Sequence, residues 1–248
     1  MPEAFSDRLA ERLAGARSVA VLTGAGISAE SGIPTFRDPG GLWDKFKPEE
    51  LANVNAFLRN PELVQKWYEH RRRVARETEP NPGHLALVDL ESMVPDFTLI
   101  TQNVDDLHRR AGSRNLIELH GNITRSYCID CEREADLDTL VGGPVRCPAC
   151  GGLVRPDVVW FGEMLPEIAV EQAVADAVRA EVFLSVGTSA LVDPAAGLPL
   201  EARSAGAYVA EVNVERSAIA EELDEVIIGK SGEILPRLVA TLRQRAGA

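Results

Sequence analysis

Short apolar runs recur along the chain, at residues 19–22, 97–101, 116–119, 158–161, 182–186, 208–212 and 225–228. Between them the spacing of apolar positions lengthens to that of helices, over 3–15, 61–68, 85–91, 105–111, 167–179, 194–204 and 231–245. In the first helix Phe5, Leu9, Ala10 and Leu13 share a face and Gly15 is the stop. Uninterrupted apolar strands suit a parallel sheet covered on both faces, and their alternation with helices predicts an α/β, doubly wound parallel sheet. Two stretches break the alternation: a mixed, partly helical region to about residue 78, and a cysteine-bearing segment from Tyr127 to Gly151. Both are expected to be insertions.

The 248 residues allow one large domain, or a large one with a small satellite. A hydrophobic share of 45% and a charged share of 26% exclude a wholly disordered chain. The formal net charge is −12, which disfavours nucleic acid and anionic membrane as partners and favours a basic protein segment. No apolar run approaches the ~18 residues needed to cross a bilayer. The start, MPEAFSDRLAERLAG, has an amphipathic helix pattern rather than that of a signal peptide. A soluble cytoplasmic protein is therefore expected.

Under that expectation the four cysteines point to a metal. Cys128-x-x-Cys131 and Cys147-x-x-Cys150 offer four thiolates to a tetrahedral Zn2+, with Gly142-Gly143-Pro144, Pro148 and Gly151-Gly152 suited to tight knuckle turns. Four thiolates leave no open position, so the expected ion is single and structural. A pair of redox motifs is the alternative.

Candidate chemistry gathers at three strand ends. After the first strand comes GAGISAESGIPTFRD, Gly24 to Asp38, whose glycines let backbone approach a phosphate although their spacing misses the dinucleotide fingerprint. A plain strand-to-helix turn is the simpler alternative. Thr101-Gln102-Asn103-Val104-Asp105 and Glu118-Leu119-His120-Gly121 follow two further strands and bring amides, a carboxylate and an imidazole to one sheet edge. His120 suits general-base work, with a reference pKa of roughly 6.5. His70, His84 and His108 read as surface or structural, and Asp105 has a helix cap as its alternative reading.

In order along the chain, GAGISAESGIPTFRD, TQNVDDLHRRAG, ELHG, the paired Cys-x-x-Cys, GTSALVDPAA and VNVE resemble a sirtuin, over about residues 16–230. The resemblance implies a Rossmann-like NAD-binding domain of residues 1–38, 80–126 and 153–248. A small domain is implied from the helical insertion 39–79 and the zinc-ribbon insertion 127–152. It implies an NAD-dependent protein lysine deacylase that consumes NAD. In the family's reaction the acyl oxygen attacks the ribose carbon bearing nicotinamide, and the products are nicotinamide, free lysine and an O-acyl-ADP-ribose.

The same resemblance makes His120 the base, with Asn103 and Asp105 orienting nicotinamide. It gives Gln102 and Arg37 ribose and phosphate contacts, and places Gly24, Ala25, Gly26, Phe36 and Val104 around the dinucleotide. Gly187, Thr188 and Ser189 match a second phosphate and ribose loop, and Asn213 and Glu215 the adenosine end. Val159, Trp160, Phe161, Gly162 and Glu163 resemble a strand that pairs with the substrate backbone, with Val192 across the cleft. Phe36 is expected to cover the nicotinamide site.

The helical insertion carries Tyr68-x-x-Arg71, similar to the acyl pocket of sirtuins that act on succinyl- and malonyl-lysine. Residues three apart share a helix face, so phenol and guanidinium can meet one carboxylate. A solvated basic helix, given Arg71-Arg72-Arg73, is the alternative. Asp193 stands where that subgroup often has an aromatic residue. Acyl-lysine proteins or peptides are the expected partners, and a monomer is the simplest expectation for assembly. Mono-ADP-ribosyl transfer to protein, or a non-catalytic NAD or ADP-ribose sensor, are the competing readings; an intact His120 and the Tyr68–Arg71 pair favour deacylation.

Overall fold

The computed structural model describes residues 5–34, 51–137 and 143–247. Six strands form one parallel sheet: β1 (Ser18–Thr23), β2 (Asp96–Thr101), β3 (Leu116–Glu118), β6 (Val182–Val186), β7 (Tyr208–Asn213) and β8 (Glu225–Ile228), in the order β3-β2-β1-β6-β7-β8. The two-residue period of a strand divides each apolar run between two cores. Val19, Val21, Leu99 and Leu184 enter one core, with the helices Asp7–Gly15, Pro82–Met93 and Ser231–Ala246. Ala20, Leu22, Ile100 and Phe183 enter the other, against Glu167–Arg179 and Leu198–Ser204. Both faces are covered, hence the uninterrupted apolar strands.

A second body stands apart from this sheet. Strands β4 (Gly121–Cys128) and β5 (Val154–Val158) pair antiparallel. With the helices Val54–Arg59 and Pro61–Glu77 they enclose a core of Leu51, Phe57, Val64, Tyr68, Ile123, Val158 and Trp160. The fully buried Gln65 fastens helix to cysteine segment: its Nε2 donates to Val154 O at 2.7 Å and Val145 O at 3.1 Å, while its Oε1 accepts Val145 N at 2.8 Å. Buried Arg72 donates from Nε to Ile123 O at 3.0 Å.

Two expectations need correction. Residues 158–161 are not a strand of the parallel sheet; the strand is Val154–Val158, in the ribbon, and beyond it only Phe161 makes a bridge, to Asn53. Arg155, Pro156 and Asp157 hid the strand because a two-stranded ribbon tolerates polar positions. Its partner β4 has no apolar run and was not anticipated. The helix expected from 105 begins at Leu107, because Asp106 adopts φ 68° and Asp105 Oδ1 accepts the Leu107 N–H at 3.0 Å. Among the described residues no helix is long and apolar enough to cross a membrane.

Candidate active site

The sheet's strand order reverses between β1 and β6, and ligands of such sheets bind beyond the strand ends at that point. Two loops meet there. Gly24 N donates to Val186 O at 3.0 Å and Gly26 N to Gly187 O at 2.8 Å. A Cβ on Gly26 would lie 2.7 Å from Gly187 Cα, and one on Gly24 2.8 Å from Gly187 O. The glycines thus let the loops touch each other. Gly187 itself has φ 60°. Gly24 is the N-cap of the short helix Ala25–Ala29, so the strand-to-helix turn is present, and the close approach that the glycines permit here is to the Gly187 loop.

Beneath this contact lies a closed hydrogen-bond cluster. Asn103 Nδ2 donates to Gly24 O at 3.0 Å and to Ser28 Oγ at 3.2 Å, and the Ser28 hydroxyl donates to Asp105 Oδ2 at 2.7 Å. Burial raises the Asp105 carboxyl above its usual range, against the Ser28 and Leu107 hydrogen bonds and the Arg71 charge. His84 Nδ1 accepts the Asn81 N–H at 3.3 Å, so its proton sits on Nε2, 3.5 Å from Ser28 Oγ. His108 packs against His84 with ring centroids 4.8 Å apart and planes tilted by 58°, and contacts Thr23 Oγ1 through Nε2 at 2.9 Å. Burial lowers His84 to about 4, and burial together with His84 lowers His108 well below the ordinary value. Both are neutral structural histidines, buried rather than superficial.

His120 follows β3, and its Nδ1 lies 2.8 Å from the carbonyl oxygen of Gln102. A carbonyl only accepts, so Nδ1 carries the proton and Nε2 keeps its lone pair. Burial lowers the imidazole pKa, and the Gln102 carbonyl opposes that. His120 is therefore neutral and basic near neutral pH. Gln102 Nε2 reaches Thr188 Oγ1 at 2.9 Å, and Asn213 Nδ2 donates to Thr188 O at 3.0 Å, linking the ends of β2, β6 and β7. Ser189 O accepts Ala218 N at 3.2 Å, and Glu215 is exposed beyond β7. Phe36 and Arg37 lie outside the described residues.

Val104 O accepts Ile123 N at 2.8 Å and His120 O accepts Val159 N at 3.0 Å, which joins the second body to this crevice. Trp160 to Glu163 is a turn rather than a strand, and Glu163 faces inward: its Oε2 accepts Trp160 N at 2.7 Å and Arg155 Nη2 at 2.8 Å. Phe161 and Val192 are exposed. On the helix Pro61–Glu77, Tyr68 is fully buried and half-buried Arg71 lies over the Trp67 and Tyr68 rings, 4.7 and 5.2 Å from their centroids. The alternative of a solvated basic face fails for Arg71 and for fully buried Arg72.

Ser28 and Thr23 carry no plain mark as site residues in the sequence, and the contact between His84 and His108, each read there as surface or structural, carries none either. The available signal for Ser28 was its position four residues beyond Gly24, one helical turn along. No comparable signal marks His84, which follows Asn81-Pro82-Gly83 and reads as punctuation.

The sulfur atoms of Cys128, Cys131, Cys147 and Cys150 all lie within 4.8 Å of one another. The Cys128–Cys150 separation is 3.4 Å and that of Cys131–Cys147 is 3.7 Å, far too long for disulfides. A tetrahedron with ~2.3 Å Zn–S bonds has edges of about 3.8 Å, so the donor set fits Zn2+. Backbone N–H groups of Ala149 and Cys150 hold the Cys147 thiol down to about 7.

A Rossmann-like sheet with a polar crevice at its switch point is the architecture of nucleotide-binding α/β enzymes. A Sir2 family model matches residues 24–194, and the chain belongs to that family. NAD-dependent protein deacylase 2 of Pyrobaculum aerophilum is 53% identical over 238 residues, 96% of each chain. A solved Sir2 homolog–NAD complex superposes with a TM-score of 0.91 at 43% identity, over 97% of this chain and 94% of that one. A Sir2–p53 peptide–NAD+ structure gives 0.87 at 30% identity, over 98% and 99%.

Proposed function

We infer that this chain is an NAD-dependent protein lysine deacylase. The observation that carries the reading is His120, whose Nδ1 is committed to the Gln102 carbonyl and whose Nε2 is left as a base at the switch point. When bound, NAD supplies a ribose carbon whose leaving group is nicotinamide. His120 Nε2 would accept a proton from a ribose hydroxyl, and Asn103 and Asp105 would bind the nicotinamide amide. The crossed loops at Gly24–Gly26 and Gly187–Ser189, with Gln102 and Asn213, hold the phosphates and the adenosine half. In this reading the six-stranded parallel sheet and its helices form the NAD-binding lobe. The β4–β5 ribbon, the cysteine segment between its strands and the helices Val54–Arg59 and Pro61–Glu77 form the small one, which a structural Zn2+ on the four cysteines would keep folded.

The acyl pocket is the finer part of the reading. Tyr68 and Arg71 share a helix face, and Arg71 is near enough to Asp105 for each charge to affect the other, which supports placing both beside the reacting centre. Burial keeps the Tyr68 phenol neutral. A neutral phenol and a cation together favour succinyl- and malonyl-lysine, with acetyl-lysine also accepted. The substrate peptide lies along Val159–Phe161 on one side and Val192 on the other. Four cysteines placed as a metal-binding set rather than as disulfide pairs support a cytoplasmic setting.

Nicotinamide release measured with and without an acyl-lysine peptide tests the activity. Release that requires the peptide is expected; release without it, with label left on protein, would instead indicate ADP-ribosyl transfer. Arg71→Met is expected to lower kcat/KM on succinyl peptide far more than on acetyl peptide.

A further inference from the structure

Trp160 joins the substrate turn to the acyl pocket. Its indole Nε1 donates to the Tyr68 hydroxyl oxygen at 2.9 Å, inside a core where both residues are almost fully buried. The ring cannot swing away: the Arg155 guanidinium carbon stands 3.5 Å from its centroid, and Phe57 packs against it at 5.1 Å. Arg155 is fixed in turn by Glu163 Oε2 at 2.8 Å and by Val158 O at 2.8 Å, while the same Glu163 oxygen accepts the Trp160 backbone N–H at 2.7 Å. Arg155, Phe57, Glu163 and Val158 thus hold one indole N–H on one phenol oxygen.

The chemistry of that oxygen follows from its donors. An indole N–H only donates, and so does a guanidinium. The Arg71 guanidinium carbon lies over the Tyr68 ring, 5.2 Å from its centroid. Because the indole fills a lone pair of the Tyr68 oxygen, the phenol's own proton is directed away from Trp160, and among the described residues no hydrogen-bond acceptor takes it.

We propose that Trp160 is a positioning residue for acyl selectivity: by filling a lone pair of the Tyr68 hydroxyl it turns that hydroxyl's proton toward the end of the acyl chain. A carboxylate-terminated chain accepts that proton together with the Arg71 N–H groups, whereas an acetyl methyl cannot. The proposal rests on the deacylase reading.

Trp160→Phe keeps an aromatic ring but removes the donor together with part of the indole's volume, and Tyr68→Phe removes the acceptor, so comparing the two backgrounds separates the hydrogen bond from the lost packing. For wild type, both single variants and the double variant, kcat/KM is measured on succinyl and acetyl forms of one peptide. Trp160→Phe is expected to lower the succinyl-to-acetyl ratio about tenfold through KM of the succinyl peptide, as loss of one oriented hydrogen bond does. In the Tyr68→Phe background the same change should alter the ratio less than about twofold. An unchanged ratio, or an equal drop in both backgrounds, overturns the proposal while leaving the deacylase reading intact; no peptide-dependent nicotinamide release by wild type overturns both.

If Trp160→Phe does not fold, the Trp160 indole N–H resonance of the wild-type protein decides. It should move more with succinyl peptide than with acetyl peptide, and equal response to the two would contradict the proposal.

Discussion

The proton on His120 is placed by Gln102: Nδ1 lies 2.8 Å from the Gln102 carbonyl oxygen, which leaves Nε2 unprotonated. His120→Ala should therefore lower kcat/KM by roughly 10²–10⁴-fold, the usual worth of a positioned base. Burial holds the imidazole pKa below its ordinary value. The neutral form is the active one, so the rate rises with pH through an inflection below about 6.5. An acid limb centred above that value, or one retained in His120→Ala, would contradict the assignment.

His84 gives the fold its own pH dependence. Its folded pKa of about 4 lies below the unfolded value of about 6.5. Above pH 6.5 the full stability is present. As pH falls toward 4 the unfolded chain binds a proton that the folded chain refuses, and stability is lost. Between pH 7.5 and 5 His84 should account for about 2 kcal/mol of lost stability. Urea unfolding at the two pH values, compared with His84→Gln, measures this; identical pH dependence in the two proteins would refute it.

Gly26→Ala should separate the crossed loops. The added methyl would meet Gly187 Cα and O at 2.7 Å, where backbone has to move. About 1–3 kcal/mol of destabilisation is expected, with a raised KM for NAD. Gly15→Ala has nothing within 4 Å and serves as the control, with KM unchanged and stability not lowered.

Zinc should be present at one ion per chain. Removing it with a strong chelator, or replacing Cys147 with Ser, should lower Tm and expose the core between Cys128, Leu137, Val145 and Val154. Because the donor set is closed, activity should fall with the fold. A metal-free chain with unaltered Tm would show that the four thiols act otherwise.

Much of the fold was legible because the sheet is covered on both faces. The run 182–186 and the helix 167–179 have the same bounds in sequence and structure, since every residue of that strand is buried and the helix keeps a clean period. The β4–β5 ribbon was not legible: Arg125 pairs with Asp157 across it, and its polar positions carry no strand pattern. Asn103, Asp105 and His120 could be placed because they follow strand ends. Ser28, which hydrogen-bonds both Asn103 and Asp105, could not, since a serine within a short helix has no mark until the residues above it are in position.

The fate of the acyl group tests the central claim most directly. With an acyl-lysine peptide and NAD, mass spectrometry should find one O-acyl-ADP-ribose for each nicotinamide released and each lysine freed. Acyl recovered as free acid before any such ester forms, or a peptide carrying ADP-ribose, would contradict the account.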